Sequence, residues 1–131
     1  MGLFKKIAYI TTAGTAPATE AFATLNLVKT GSTATKFEAS FLQNGGIVQF
    51  RNDATARDYE AKVYFSMVDS PGLITNGDWI EYDVKTIGAQ VGDVLGTDKI
   101  IWSRPYKWMA VSISAASATA GAVLIDIYGH F

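Results

Sequence analysis

The chain has 131 residues, which fits one domain able to bury roughly two-thirds of the surface its unfolded form exposes. Hydrophobic residues make up 49% and charged residues only 18%, against about 25% charged in a typical soluble domain, and 11 Lys plus Arg balance 12 Asp plus Glu to a net charge of −1. This excludes a general basic field for phosphate, and the absence of cysteine excludes disulfides, a thiol nucleophile and a thiolate metal site.

Met1 to Ile10 carries two lysines among apolar residues. Its apolar run is shorter than a signal-peptide core of about 7 to 15 residues, so no cleaved secretion signal is expected. Lys6 stands where myristoylation of Gly2 would need Ser or Thr, and no stretch approaches the ~20 apolar residues of a membrane span. Thr11 to Thr19 is small, polar and proline-containing. Residues 1–20 therefore read as an extended arm before a single domain over 21–131, and Leu3, Phe4, Ile7, Tyr9 and Ile10 favour docking of that arm on a neighbouring subunit over exposure to water.

Period-two alternation dominates the rest of the chain and places successive side chains on opposite faces of strands. Phe22 to Val28 predicts a strand. Phe37, Ala39 and Phe41 share one face of a second, and Val48 and Phe50 share a face against Gln49 and Arg51, with Asn44-Gly45-Gly46 between them suited to a hairpin turn. Asp53 to Tyr59 suggests a short helical turn capped by Asp53. Tyr59, Ala61, Val63, Phe65 and Met67 then alternate against Glu60, Lys62 and Ser66, the pattern of a half-buried antiparallel strand.

Ser70-Pro71-Gly72 and Asn76-Gly77-Asp78 are turn signals. After them Ile80, Tyr82 and Val84 alternate with Glu81 and Asp83. Ile87 to Lys99 is glycine-rich with isolated apolar residues, as in a crossing loop or a bulged edge strand. Met109, Val111 and Ile113 mark one face of a strand from Trp108 to Ser114, and Val123, Ile125 and Ile127 one face of the last. Short strands between turns predict an all-β, antiparallel two-sheet β-sandwich, jelly-roll-like, with the N-terminal arm appended.

Candidates for chemistry are sparse. A Ser-His-Asp or Cys-His centre needs a well-held imidazole, and His130, the sole histidine, is next to last. One histidine without cysteine also makes a zinc site remote. Glu81 and Asp83 would lie roughly 7 Å apart on one strand face, but no cleft is evident and a solvated outer face explains them. Asp69, Asn76, Asp78, Asp93 and Asp98 could gather around calcium, but they lack the spacing of an EF-hand loop and turn formation accounts for most of them. Trp102, Tyr106 and Trp108, interleaved with Arg104 and Lys107, form either a stacking platform for a ligand or the packed end of the sandwich.

Three segments of the second half carry a resemblance. Asn76-Gly77-Asp78-Trp79-Ile80-Glu81-Tyr82 is similar to a turn and strand of the form dG-x-W, Arg104 to Ile113 resembles the strand pYkyirv-i, and Gly121 to Gly129 a closing strand before a terminal glycine. Together, over about the last 55 residues, they resemble discoidin-like jelly-roll modules and the compact β-sandwich proteins of tailed-phage virions. Discoidin-like modules are usually secreted and often disulfide-closed, whereas phage particle proteins are made in the cytoplasm and need no disulfide.

The resemblance implies a phage structural protein that forms or decorates a capsid by self-assembly, made in the host cytoplasm and incorporated into the virion. Its expected partners are copies of itself, as a homo-oligomer, and other virion proteins, with no specific nucleic acid and no membrane. No catalytic residue, metal or cofactor is expected. The alternatives are a carbohydrate- or receptor-binding module of a tail fibre or surface protein that uses Trp102, Tyr106 or Trp108, and, more remotely, an enzyme built on Glu81.

Overall fold

The structure is a computed structural model and describes residues 3–55, 57–115 and 122–131. Where apolar and polar residues alternate, strands form. They are β1 (Phe4–Thr15), β2 (Ala21–Phe22), β3 (Leu25–Leu27), β4 (Thr33–Ala34), β5 (Phe37–Glu38), β6 (Gly46–Asn52), β7 (Tyr59–Ser66), β8 (Ile80–Ile87), β9 (Gly96–Trp102), β10 (Trp108–Ala115) and β11 (Ala122–His130). The described residues otherwise hold one 3-10 turn, Ile74–Asn76, and no α-helix.

The strands build a two-sheet antiparallel β-sandwich. One sheet has six strands in the order β4-β3-β1-β11-β6-β9; the other has the order β2-β10-β7-β8, with β5 also paired to β10. Directly opposed residues of an antiparallel ladder point to the same side, so alternation within each strand propagates across its sheet. Val48 opposes both Ile127 and Ile100, and Val63 opposes Val111. These residues, with Phe50, Tyr59, Phe65, Met109 and Ile125, make the buried layer between the sheets.

The N-terminal segment is corrected by this arrangement. Residues 4–15 are not an arm standing off the domain but strand β1, paired along β11 from Phe4 opposite His130 to Thr15 opposite Ala122. Bulges between Lys6 and Ala8 and between Ile10 and Gly14 break the period. A bulge inserts a residue and reverses which parity faces inward, so one strand reads as no strand. Met1 and Gly2 of that expected arm lie outside the described residues.

Other local expectations change for similar reasons. The segment 22–28 is two short strands in different sheets, β2 and β3. The hairpin foreseen around Asn44-Gly45-Gly46 does not form, since β5 pairs with β10 while β6 pairs with β11 and β9. Gly45 does adopt a positive φ of 73°, but it carries the chain from one sheet to the other, and a Cβ there would overlap the Trp102 carbonyl. No helical turn follows Asp53 among the described residues. Instead Asn52, fully buried, accepts from the Ala54 N–H at 2.9 Å and donates to the carbonyls of Arg57 and Ile87 at 2.7 and 3.2 Å. Met67 falls just beyond β7 and is exposed rather than buried with Phe65.

Candidate interaction surface

The residues expected to form a docking arm separate once β1 is in its sheet. Ile7 and Ile10 pack against the core, and half-buried Tyr9 lies on the outer face, opposite Asp126 and Asn26. Leu3 and Phe4 remain exposed at the end of β1. There the two ends of the described chain clasp each other: the Leu3 N–H donates to the Phe131 carbonyl at 2.6 Å and the Phe131 N–H to the Leu3 carbonyl at 2.7 Å. The Phe4 ring stacks on the His130 imidazole, centroids 4.4 Å apart, so the lone histidine is held against an aromatic neighbour.

Beside this clasp, β1, β3 and the chain around β5 enclose a groove of about 690 Å³. Its apolar wall comes from Ile7, Leu27, Val28, Phe37, Phe41 and Phe131, with Phe41 half exposed (50%) and its ring 6.1 Å from that of Phe131. Lys5, Lys6, Lys29 and Lys36 stand around it, and Glu38 is the single acid among the lining residues. Two of the lysines are occupied. Lys36 donates to the Pro71 carbonyl and lies 5.5 Å above the Trp108 ring; Lys6 pairs with Asp126 at 3.0 Å. Lys5 and Lys29 are exposed and make no ion pair among the described residues.

Asp126 fixes the charge pattern beside the groove. Only 4% exposed on the outer face of the six-stranded sheet, it takes Arg51 at 2.8 Å as well as Lys6. The hydrogen bond to Asp126 holds the Lys6 ammonium above its usual pKa, against a smaller opposing effect of burial. A near-buried carboxylate ion-paired to two cations is a structural group. Across the same face a shallow depression of about 660 Å³ runs between Phe4, Ile47, Lys99 and Tyr128.

The second sheet carries the other polar cluster. Glu20 accepts from the Tyr64 hydroxyl at 3.0 and 3.1 Å and from the Ser112 hydroxyl at 2.9 Å, and lies 3.4 Å from Lys62, which reaches Glu81 at 3.1 Å. Ser112 is on β10, Lys62 and Tyr64 on β7, and Glu81 on β8, so one network stitches the outer face across its strands. Burial and the Glu20 carboxylate push the Tyr64 hydroxyl up to about 12, keeping it a donor at neutral pH. The hydrogen bond to Glu81 raises Lys62 likewise.

The three aromatics weighed as a stacking platform do not share a surface. Trp102, 1% exposed, faces the core, with its ring 5.6 Å from Phe65. Tyr106 stacks on Phe65 at 4.0 Å and, with Tyr82, closes the end of the sandwich. Trp108 lies on the opposite, outer face of the second sheet beside Tyr64 and Trp79. The platform is thus corrected: β9 turns Trp102 inward, whereas Trp108 begins β10 with outward parity.

The expected acids are also dispersed. Asp69 pairs with Lys107, which lowers its pKa; Asp78 accepts from the Gly72 N–H; Asp83 and Asp98 each accept from the N–H of the residue that follows. The side chain of Asn76 lies outside what the structure describes. Among the described residues no three acids or histidines gather to hold a metal, and no helix is long and apolar enough to cross a membrane.

No known family profile matches the chain, and no curated protein matches it in sequence. A solved structure of infectious bursal disease virus, Gt strain, matches 99% of this chain and 29% of its own at 15% identity, with a TM-score of 0.27. The chain spans less than a third of that viral chain, and the likeness is a weak structural resemblance.

Proposed function

We propose that this chain is a structural protein of a virus particle, most simply of a phage, which forms or decorates a capsid by packing against copies of itself and against other virion proteins. The observation that carries self-association is the apolar corner at the clasped chain ends. Leu3, Val28, Phe41 and Phe131 are exposed and adjoin through ring stacking, backbone pairing or the shared groove, and exposed Phe4, next to Leu3, stacks on His130. Contiguous exposed apolar surface of this kind marks interaction sites in soluble domains. The corner replaces the arm as the contact element, because β1 is tied down by its own chain.

The virion assignment rests on the motif resemblance over residues 76–129 and on a low charge content suited to a surface covered by neighbours. We read the Glu20 network, in which Glu20 accepts from Tyr64 and Ser112 and both Glu20 and Glu81 reach Lys62, as a structural tie across the second sheet. Light scattering on the purified protein, followed by electron microscopy, tests the reading. Discrete rings or shells are expected, and a stable monomer at high concentration overturns self-association.

A further inference from the structure

We infer that copies of this chain join head to tail, the β8–β9 turn of one copy seating in the lysine-rimmed groove of the next. This deepens the self-assembly reading and rests on it. The turn is an unusual surface feature. Val91 and Val94 close it through mutual backbone hydrogen bonds of 2.9 and 3.0 Å, and Gly92, with φ of 62°, makes the reversal. The valines are 79% and 71% exposed, and Asp93, also exposed, lies between them in the turn. Asp93 makes no ion pair among the described residues. Two outward valines flanking an unpaired acid form a rigid apolar knob with one negative charge.

The groove offers the complement. Its wall is apolar, and Lys5 and Lys29 stand unpaired at its rim. Volumes of roughly 300–1,000 Å³ hold compact ligands, and at about 690 Å³ this one is suited to a four-residue turn. The valines meet Phe41, Val28 and Phe131 there, while Asp93 meets the free ammonium groups. The turn is also anchored at its base, with the Gln90 N–H bound to the Ala54 carbonyl and the Ala89 N–H to Asp58, so little ordering is needed on docking.

The fold sets the symmetry. Groove and turn lie towards opposite edges of the six-stranded sheet, β3-β1 against β9, three to four strand spacings of about 4.8 Å apart, roughly 14–19 Å. They also lie at opposite strand ends. Phe4, His130, Gly46 and Trp102 mark the groove end, whereas Thr15, Ala122, Asn52 and Gly96 mark the turn end. A contact between two different patches at diagonal corners is heterologous, so it propagates into a ring or filament instead of closing as a two-fold dimer.

Charge exchange tests this on the full chain. Lys5→Glu/Lys29→Glu and, separately, Asp93→Lys should each raise the dissociation constant at least about tenfold by placing like charges in contact. Mixed in equal amounts, the two variants should recover assembly, because each groove again faces a turn of opposite sign. Failure of the mixture to assemble, with both variants folded by circular dichroism, overturns the pairing. So does undiminished assembly of either variant. Should the lysine variant unfold, Asp93→Lys and Val91→Ser/Val94→Ser, both on an exposed turn, decide alone: normal assembly by either refutes the contact. A wild-type monomer instead removes the self-assembly reading, whereas wild-type assembly indifferent to these changes removes only this interface.

Discussion

Truncating Trp102 separates a core from a ligand platform. The Trp102 side chain is fully buried between the sheets, beside Phe65, and its ring edge lies where a Cβ on Gly46 would stand. Trp102→Ala removes the largest fully buried side chain among the described residues from a site beside Phe65 and the Gly46 backbone. Truncations of this kind cost about 3–5 kcal/mol, a large part of the about 5–15 kcal/mol that holds a typical domain together. At about 3–5 °C per kcal/mol for a chain of this size, the melting temperature should fall by roughly 10–20 °C. Trp108→Ala, on the half-buried outer face under Lys36, should cost only about 1–2 kcal/mol. Urea unfolding monitored by far-ultraviolet circular dichroism measures both. A Trp102→Ala loss below about 1 kcal/mol, or one smaller than that of Trp108→Ala, would refute the inward placement of β9 side chains and the core built on it.

Two further outcomes follow from the geometry. Gly45→Ala should cost about 3 kcal/mol or more, since it combines a positive φ with a collision at the Trp102 carbonyl, whereas Gly77→Ala, with φ of 85° and open space, should cost about 1–2 kcal/mol; equal losses in chemical denaturation would remove the collision from the account. Burial raises the pKa of Tyr59 and, with Glu20, that of Tyr64, whose folded value is about 12 against 10.0 unfolded. Below pH 10 both residues are protonated in either state and add no pH dependence; above it the unfolded chain releases protons the folded chain keeps, so stability should fall, for Tyr64 through the window from 10 to about 12. Spectrophotometric titration of Glu20→Gln should show Tyr64 ionising at lower pH than in the wild type, and an unmoved titration would count against the Glu20 contact.

Much of the sandwich was legible because alternation is a local property. The inward faces of β7 and β10, carried by Tyr59, Ala61, Val63 and Phe65 and by Met109, Val111 and Ile113, follow from side-chain parity alone. Parity fails where a bulge intervenes. In β8 the irregularity opposite Val63 and Tyr64 sets Glu81 against Tyr64 and Val84 against Lys62, both on the outer face, so the row Ile80, Tyr82, Val84 is not a buried one. The two bulges of β1, and its run of small side chains from Thr11 to Thr15, hid an entire strand in the same way.

The candidate surface was less legible. Leu3 and Phe4 were identifiable as candidates only because they are large and apolar. Their neighbours Val28, Phe41 and Phe131 come from distant parts of the chain, and Lys5 and Lys29 converge on one groove only after β3 pairs with β1. The Val91-Gly92-Asp93-Val94 turn was visible as a glycine-rich stretch, but its outward valines were not, since exposure depends on what the rest of the fold leaves uncovered.

By itself the sequence determined that this is an all-β protein with two apolar faces to bury, because each strand's side-chain parity is written in its own residues. Tertiary structure alone decided which strands share a sheet, that the N-terminal residues are held by the C-terminal ones, and which apolar residues remain outside. Backbone pairing and burial are relations between distant segments, and the energies that select them come from contacts no single segment contains.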